Sequence, residues 1–230
     1  MLIGHVFYYF MPDNNWARVP DRIMVPVFLV SIGYNSGHPV SRLLIFSTLL
    51  LCAVDFTIMQ EYQVNVLGTI ILLRYTIEPL AQFLLKNRIL FWGAHVLFVA
   101  LFQITDIFFE YGTLAYIMAM AGWINKNGEG VSGKIIKPSE YFIVITIIFI
   151  ITQQIVFGFS HLQTFVMACG LSITMYLLFN MRTMLMNTIR HKPKDFIGRF
   201  CKFLGHRSLE IYVIHILLFQ AILYYALFLA

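Results

Sequence analysis

The chain has 230 residues, of which 60% are hydrophobic and only 12% are charged. Soluble domains carry about 25% charged residues, so the composition excludes an ordinary soluble protein and indicates a membrane protein with many spans. The net charge of +5 does not indicate nucleic acid as a partner, because the basic residues gather in one set of loops between apolar runs.

Apolar runs follow one another along the chain and predict a single integral membrane domain, residues 1–230, embedded in the lipid bilayer. A helix needs about 20 apolar residues to cross a bilayer. Two of the runs are shorter, and we expect them to tilt, break or lie beside a cavity. The prediction is an all-α polytopic membrane bundle with about nine spans, at 1–12, 19–35, 43–60, 64–85, 89–109, 111–125, 141–158, 162–180 and 208–230.

Basic residues mark one side of the predicted bundle. The segment 181–207 holds seven Lys and Arg, and loops on the same side hold six more of the chain's 16. Cytoplasmic loops of membrane proteins are enriched in Lys and Arg, so we expect the N-terminus and the 181–207 loop in the cytoplasm and the C-terminus outside. This basic loop would contact anionic lipids or, alternatively, bind an anionic cytoplasmic cosubstrate.

Several ionisable side chains fall inside the predicted spans, where each costs about 3 kcal/mol to insert. On the oriented helices His5, Asp55, Asp106 and Glu110 reach a similar depth in the outer half, and Arg22 enters from the outer connection. An imidazole tuned by a carboxylate can take a proton from an attacking amine or hydroxyl. A guanidinium can hold an anion or a developing oxyanion. The same cluster also fits a set of mutually neutralising charges that fixes helix packing.

Other polar groups lie deeper in the predicted membrane. Arg74 and Glu78 are four residues apart, so we expect them to pair on one helix face. His95 and His215 lie in the fifth and last spans, and we expect His95 to form a helix–helix hydrogen bond. The three cysteines have no metal-ligand spacing, and no metal site is predicted.

Five local motifs, taken in order, resemble the TraX family of bacterial inner-membrane proteins, named for the pilin N-acetyltransferase of conjugative systems. The motifs are MLIGHVFYYF, RVPDRIMVPVFLVSIGYN, NVLGTIILL, EYGTLAYIMAMAGW and LGHRSLEIYVIHILL. The last one is also similar to the ending of the wider membrane acyltransferase superfamily, whose members move acyl groups onto sugars and envelope polymers.

The resemblance implies an inner-membrane acyltransferase with acetyl-CoA as cosubstrate and an amine or hydroxyl acceptor on a membrane protein or envelope glycan. His5 matches the family's first-helix histidine, the expected general base or acyl carrier, and Arg22 matches the arginine before the second helix. We expect catalysis by His5, Arg22, Asp106 and Glu110, and substrate binding by Asp55, Asn65, Tyr111, Arg74, Tyr212 and His215.

Two other functions stay open at the level of sequence. Gly4 stands where the TraX family has an aspartate before the histidine, and the first span is short. Both features favour a catalytically silent relative that serves as a subunit of a larger membrane complex. Buried charges that line a proton or solute path would instead indicate a transporter, although no inverted repeat or pair of broken helices is evident.

Overall fold

The structure is a computed structural model that describes residues 5–6, 9–11, 14–60, 62–127, 135–180 and 207–229. Within these ranges the chain is helical, so the predicted all-α fold is confirmed there. A π-helical turn, Asp55–Met59, continues the second helix. The α-helices are α1 Asn15–Tyr34, α2 Arg42–Val54, α3 Val66–Leu84, α4 Arg88–Asp106, α5 Gly112–Asn127, α6 Pro138–Phe157, α7 His161–Phe179 and α8 Ser208–Leu229.

Membrane character is concentrated in four of the described helices. By length and composition, α4, α6, α7 and the Ser208–Tyr225 part of α8 are apolar enough to cross a membrane. The count of nine spans and the orientation of the termini stay predictions. Most of the predicted first span, 1–12, and the basic loop, apart from Arg207, lie outside the described residues.

Polar caps fix where several helices begin. Each capping side chain accepts a backbone N–H of the first turn, which satisfies a group that has no partner inside the helix. Because Asn14 caps α1, this helix begins at Asn15 rather than near residue 19. The expectation that Arg22 enters from a connection is therefore wrong, since it lies in the second turn of α1. The capping residues are Asn14, Ser41, Asn65, Asn87 and Ser160.

Helix α5 forms the centre of the fold and packs against α1, α3, α4 and α6. Its residues from Leu114 to Asn125 are almost all buried. Helix α1 approaches closely because a Cβ added at Gly33 would overlap the carbonyl oxygen of Ala119, and one at Gly122 would overlap that of Val30. Small residues allow such contact between membrane helices. The backbones of α1 and α5 are therefore in direct contact at these two glycines.

His95 ties three helices together. Its Nδ1 donates to the carbonyl oxygen of Phe91 at 2.7 Å, and its Nε2 lies 2.6 Å from the hydroxyl of Tyr141. That hydroxyl is also 2.9 Å from the carbonyl oxygen of Ile117 in α5. The helix–helix hydrogen bond expected of His95 is present, and it links α4 to α6.

The predicted ion pair between Arg74 and Glu78 is wrong. Arg74 donates through Nη1 to the carbonyl oxygen of Pro39 at 3.4 Å, and its Nε has no hydrogen-bond partner among the described residues. Glu78 is exposed. The guanidinium turns toward the connection between α1 and α2, so spacing along the helix did not decide its partner.

Candidate functional site

A cavity of about 320 Å³ lies where α1, α2, α4, α6, α8 and the N-terminal residues meet. The sequence predicted that charges from separate helices share one depth, and the structure places them around this one cavity. Arg74 and His215, both predicted to bind substrate, do not line it. The predicted site residues that do are His5, Arg22, Asp55, Asn65, Asp106, Glu110, Tyr111 and Tyr212.

His215 lies behind His5 instead of facing the cavity. The Nδ1 atom of His5 is 2.8 Å from Nε2 of His215, and Nδ1 of His215 is 2.7 Å from the carbonyl oxygen of Ile211. The two rings stack with their centroids 5.0 Å apart. Tyr212 packs against both rings edge-on, at 5.5 Å and 5.4 Å between centroids. In the structure His215 contacts His5, and its predicted contact with substrate stays a prediction.

Arg22 contacts two aromatic rings. Its guanidinium carbon lies 4.4 Å from the ring centre of Phe157 and 5.7 Å from that of Tyr111. Its closest carboxylate contact within the described ranges is with Asp21, at 3.9 Å. Stacking fixes the plane of a guanidinium and therefore the direction of its N–H donors. The Nε of Arg22 is buried and has no hydrogen-bond partner in the described part of the chain.

The Glu110–Tyr111–Gly112 motif is a tight turn between α4 and α5. Tyr111 and Gly112 have φ values of +67° and +40°. The left-handed region costs a residue with a Cβ about 1–2 kcal/mol, so Tyr111 is strained. A Cβ at Gly112 would overlap the Thr105 hydroxyl and lie 2.7 Å from the Asp106 nitrogen, which explains the glycine. The turn puts the Tyr111 ring, which is 7% exposed, under Arg22.

Glu110 and Asn65 hold the start of α3. The Val66 N–H donates to Glu110 Oε2 at 2.8 Å, and the Leu67 N–H donates to Asn65 Oδ1 at 3.1 Å. A carboxylate is favoured there because the N-terminus of a helix is partially positive. Burial raises the pKa of Glu110, which lies in the connection outside both helices, to about 7, against the lowering effect of the Val66 N–H. Glu110 is thus a capping group whose side chain also lines the cavity.

Asp55 joins α2 to α8 at the first residue of the π-helical turn. Its Oδ1 accepts a hydrogen bond from Gln220 Nε2 at 2.6 Å, and Gln220 Nε2 also lies 3.4 Å from the Tyr9 hydroxyl. Single π turns within helices are frequent at functional sites. This contact brings together three segments that are distant in sequence.

Two glutamines that sequence reasoning missed also line the cavity. Gln153 and Gln220 are each only 2% exposed. The Oε1 of each, like the Nε of Arg22, has no hydrogen-bond partner among the described residues. Buried polar atoms are nearly always paired, so three such atoms at one cavity indicate that water or a polar ligand pairs with them there. The available signal was an uncharged amide within an apolar run, which is weaker than the signal of an ionisable group at the same depth.

Comparison with known proteins gives no relative. No family model, curated protein or solved structure matches the chain. The resemblance to the TraX family therefore rests on the five motifs. In the part of the chain that is described, no group of three or more His, Cys, Asp or Glu side chains is arranged to hold a metal ion.

Proposed function

We propose that this chain is an integral membrane acyltransferase that moves an acyl group, acetyl in the TraX family, from acetyl-CoA to an amine or hydroxyl. The observation that carries the proposal is the cavity, where an imidazole, a guanidinium and several carboxylates from separate elements converge. A volume of about 320 Å³ is at the lower end of ligand pockets, which fits the reacting ends of two larger substrates.

The proposed reaction needs a base and a stabiliser of negative charge. The His5 imidazole takes the proton of the acceptor as its nitrogen or oxygen attacks the thioester carbonyl. Arg22 donates to the oxygen of that carbonyl as it becomes negative. The new C–N or C–O bond forms, the C–S bond breaks, and the leaving thiolate takes the proton back from His5. Asp55 and Asp106 line the same cavity and would orient the acceptor.

The proposal includes a nine-span topology in a bacterial inner membrane, with the N-terminus in the cytoplasm and the C-terminus outside. It is supported by the bias of basic residues toward one set of loops. In that orientation the 181–207 loop lies on the side where acyl-CoA is available, and the acceptor is a membrane protein or an envelope glycan.

The test measures transfer of a radiolabelled acetyl group from acetyl-CoA by the purified full chain in nanodiscs. The acceptor probes are ethanolamine, which offers an amine and a hydroxyl, and a membrane extract separated into protein and glycan. His5→Ala is expected to lose at least about 100-fold in rate, because general-base catalysis contributes 10²–10⁴-fold. His161→Ala, an exposed histidine at the start of α7, is the matched control and keeps its rate. Full activity in His5→Ala would remove His5 from the mechanism.

A noncatalytic subunit of a larger membrane complex is the second candidate. It is favoured by the structural use of the site's own polar groups, since Glu110 caps α3 and Asp55 binds Gln220. Native purification separates the two candidates. A stable partner that remains bound when His5 is replaced would support the subunit, whereas a free monodisperse monomer counts against it.

A further inference from the structure

Two histidines from opposite ends of the chain, 210 residues apart, share one hydrogen bond. It joins Nδ1 of His5 to Nε2 of His215 at 2.8 Å. A hydrogen bond between two imidazole nitrogens contains a single proton, so one ring must donate and the other must accept. Which ring does which is decided by the other contacts of the pair.

The second nitrogen of His215 settles its tautomer. Nδ1 lies 2.7 Å from the carbonyl oxygen of Ile211, one turn earlier in α8. A carbonyl oxygen only accepts, so Nδ1 of His215 carries the hydrogen. In a neutral ring the Nε2 of His215 then has a lone pair and accepts from His5.

It follows that Nδ1 of His5 carries the shared proton. A neutral His5 therefore has no hydrogen on Nε2, and this is the nitrogen that His215 does not engage. His5 lines the cavity and His215 does not. Tyr212 packs edge-on against both rings and restricts their rotation.

We propose that His215 is a positioning residue that holds His5 in the tautomer with a free Nε2 lone pair for the cavity. Its catalytic consequence rests on the acyltransferase function proposed above, because only then does Nε2 serve as the base. The orienting group of a catalytic histidine is commonly a carboxylate. A neutral imidazole fixes the same tautomer without burying another charge.

His95 provides the matched control. Its Nδ1 makes the same bond to a carbonyl oxygen one turn earlier, at 2.7 Å, and its Nε2 also bonds across helices, to Tyr141. It does not line the cavity. His95→Phe therefore removes an equivalent interhelical hydrogen bond and should leave the tautomer of His5 unchanged.

The experiment that does not depend on activity is nitrogen NMR of histidine-labelled full chain in nanodiscs, with the His5 signals assigned by their loss in His5→Gln. The wild type is expected to show a protonated Nδ1 and an unprotonated Nε2 at His5. His215→Phe keeps the ring but removes the acceptor, so His5 should populate both tautomers. His215→Gln places Oε1 close to the former Nε2 and should restore the wild-type signals.

Acyl transfer provides the second readout. His215→Phe is expected to lower kcat on the order of 10–100-fold, the range seen when the hydrogen-bond partner of a metal-ligating histidine is removed, with KM little changed. His215→Gln should recover most of this loss, and His95→Phe should keep kcat.

The outcomes separate the tautomer from the function. A wild-type His5 protonated on Nε2 overturns the proposal, and this measurement stands even if His215→Phe does not fold. An unchanged His5 tautomer and rate in His215→Phe would overturn it as well. The expected tautomers without detectable acyl transfer would support the positioning role and count against the acyltransferase.

Discussion

The two buried glutamines allow a test that separates a ligand site from an ordinary packed core. Gln153 and Gln220 line the same cavity and are equally buried. They differ in one respect. Gln220 donates to Asp55 Oδ1 at 2.6 Å, whereas the side chain of Gln153 makes no hydrogen bond within the described ranges. The matched perturbation is Gln→Leu at each position. It removes the amide and leaves an apolar side chain in its place.

The expected change in stability follows from these bonds. Each substitution removes an unpaired acceptor, whose burial costs about 1–3 kcal/mol. Only Gln220→Leu also removes a hydrogen bond to a carboxylate, which contributes about 1.5–3 kcal/mol. A chain of this size shifts its Tm by about 2–4 °C for each kcal/mol. Gln153→Leu should therefore raise the Tm by about 2–12 °C, and Gln220→Leu should melt about 3–12 °C below Gln153→Leu.

The assay is thermal unfolding of the wild type and both variants in one detergent, followed by acetyl transfer at a temperature where all three are folded. Gln153→Leu should be the more stable protein and the poorer catalyst, because the amide that a substrate would bind is gone. That combination is characteristic of residues retained for function at a cost in stability. Destabilisation of Gln153→Leu as large as that of Gln220→Leu would refute the reasoning, because it would mean that the Gln153 amide is satisfied.

Three further predictions test the contact between α1 and α5, the cap of α3 and the guanidinium of Arg22. Gly122→Ala should lower the Tm and the yield of folded protein because its Cβ would overlap the Val30 carbonyl, whereas Gly93→Ala, with open space around it, should raise the Tm slightly. The folded-state pKa of Glu110 is raised from 4.5 to about 7. The free energy of unfolding therefore falls as pH rises through this interval, by on the order of 3 kcal/mol. Glu110→Gln should flatten the resulting decrease in Tm between pH 5 and pH 8. Arg22→Lys should slow acetyl transfer at least about tenfold, because an ammonium lacks the planar stacked donors, and an unchanged rate would contradict the role given to Arg22.

The helices were predictable because their signals are local. Apolar runs predicted the helical segments, and the Ser or Asn that caps the start of several helices in the structure is likewise a signal contained in the local sequence. The gathering of Asp55, Asp106 and Glu110 was predictable in outline, because positions at one depth on neighbouring helices are brought close together when the bundle packs.

Contacts that depend on tertiary packing were not predictable. The spacing of Arg74 and Glu78 made a pair possible, yet the carbonyl of Pro39 competes for the guanidinium. His5 and His215 are 210 residues apart, and no local pattern links them. The role of Gln153 was also hidden, because an uncharged amide in an apolar run resembles a neutral helix residue until the cavity beside it is known.

The site is divided between two parts of the fold that are held in different ways. Arg22 lies in α1 and Tyr111 lies in the strained turn just before α5, beside the close glycine contacts between these two helices. His5 and Gln220 belong to the chain ends, which hydrogen bonds and ring contacts join to each other and to Asp55. Substitutions of His215 that spare the fold should therefore act on proton transfer through His5 and lower kcat, while substitutions around Arg22 should act on the bound acyl group. A change of His215 that altered only KM would contradict this division, because it would give a direct substrate contact to a residue that we assign to the positioning of His5.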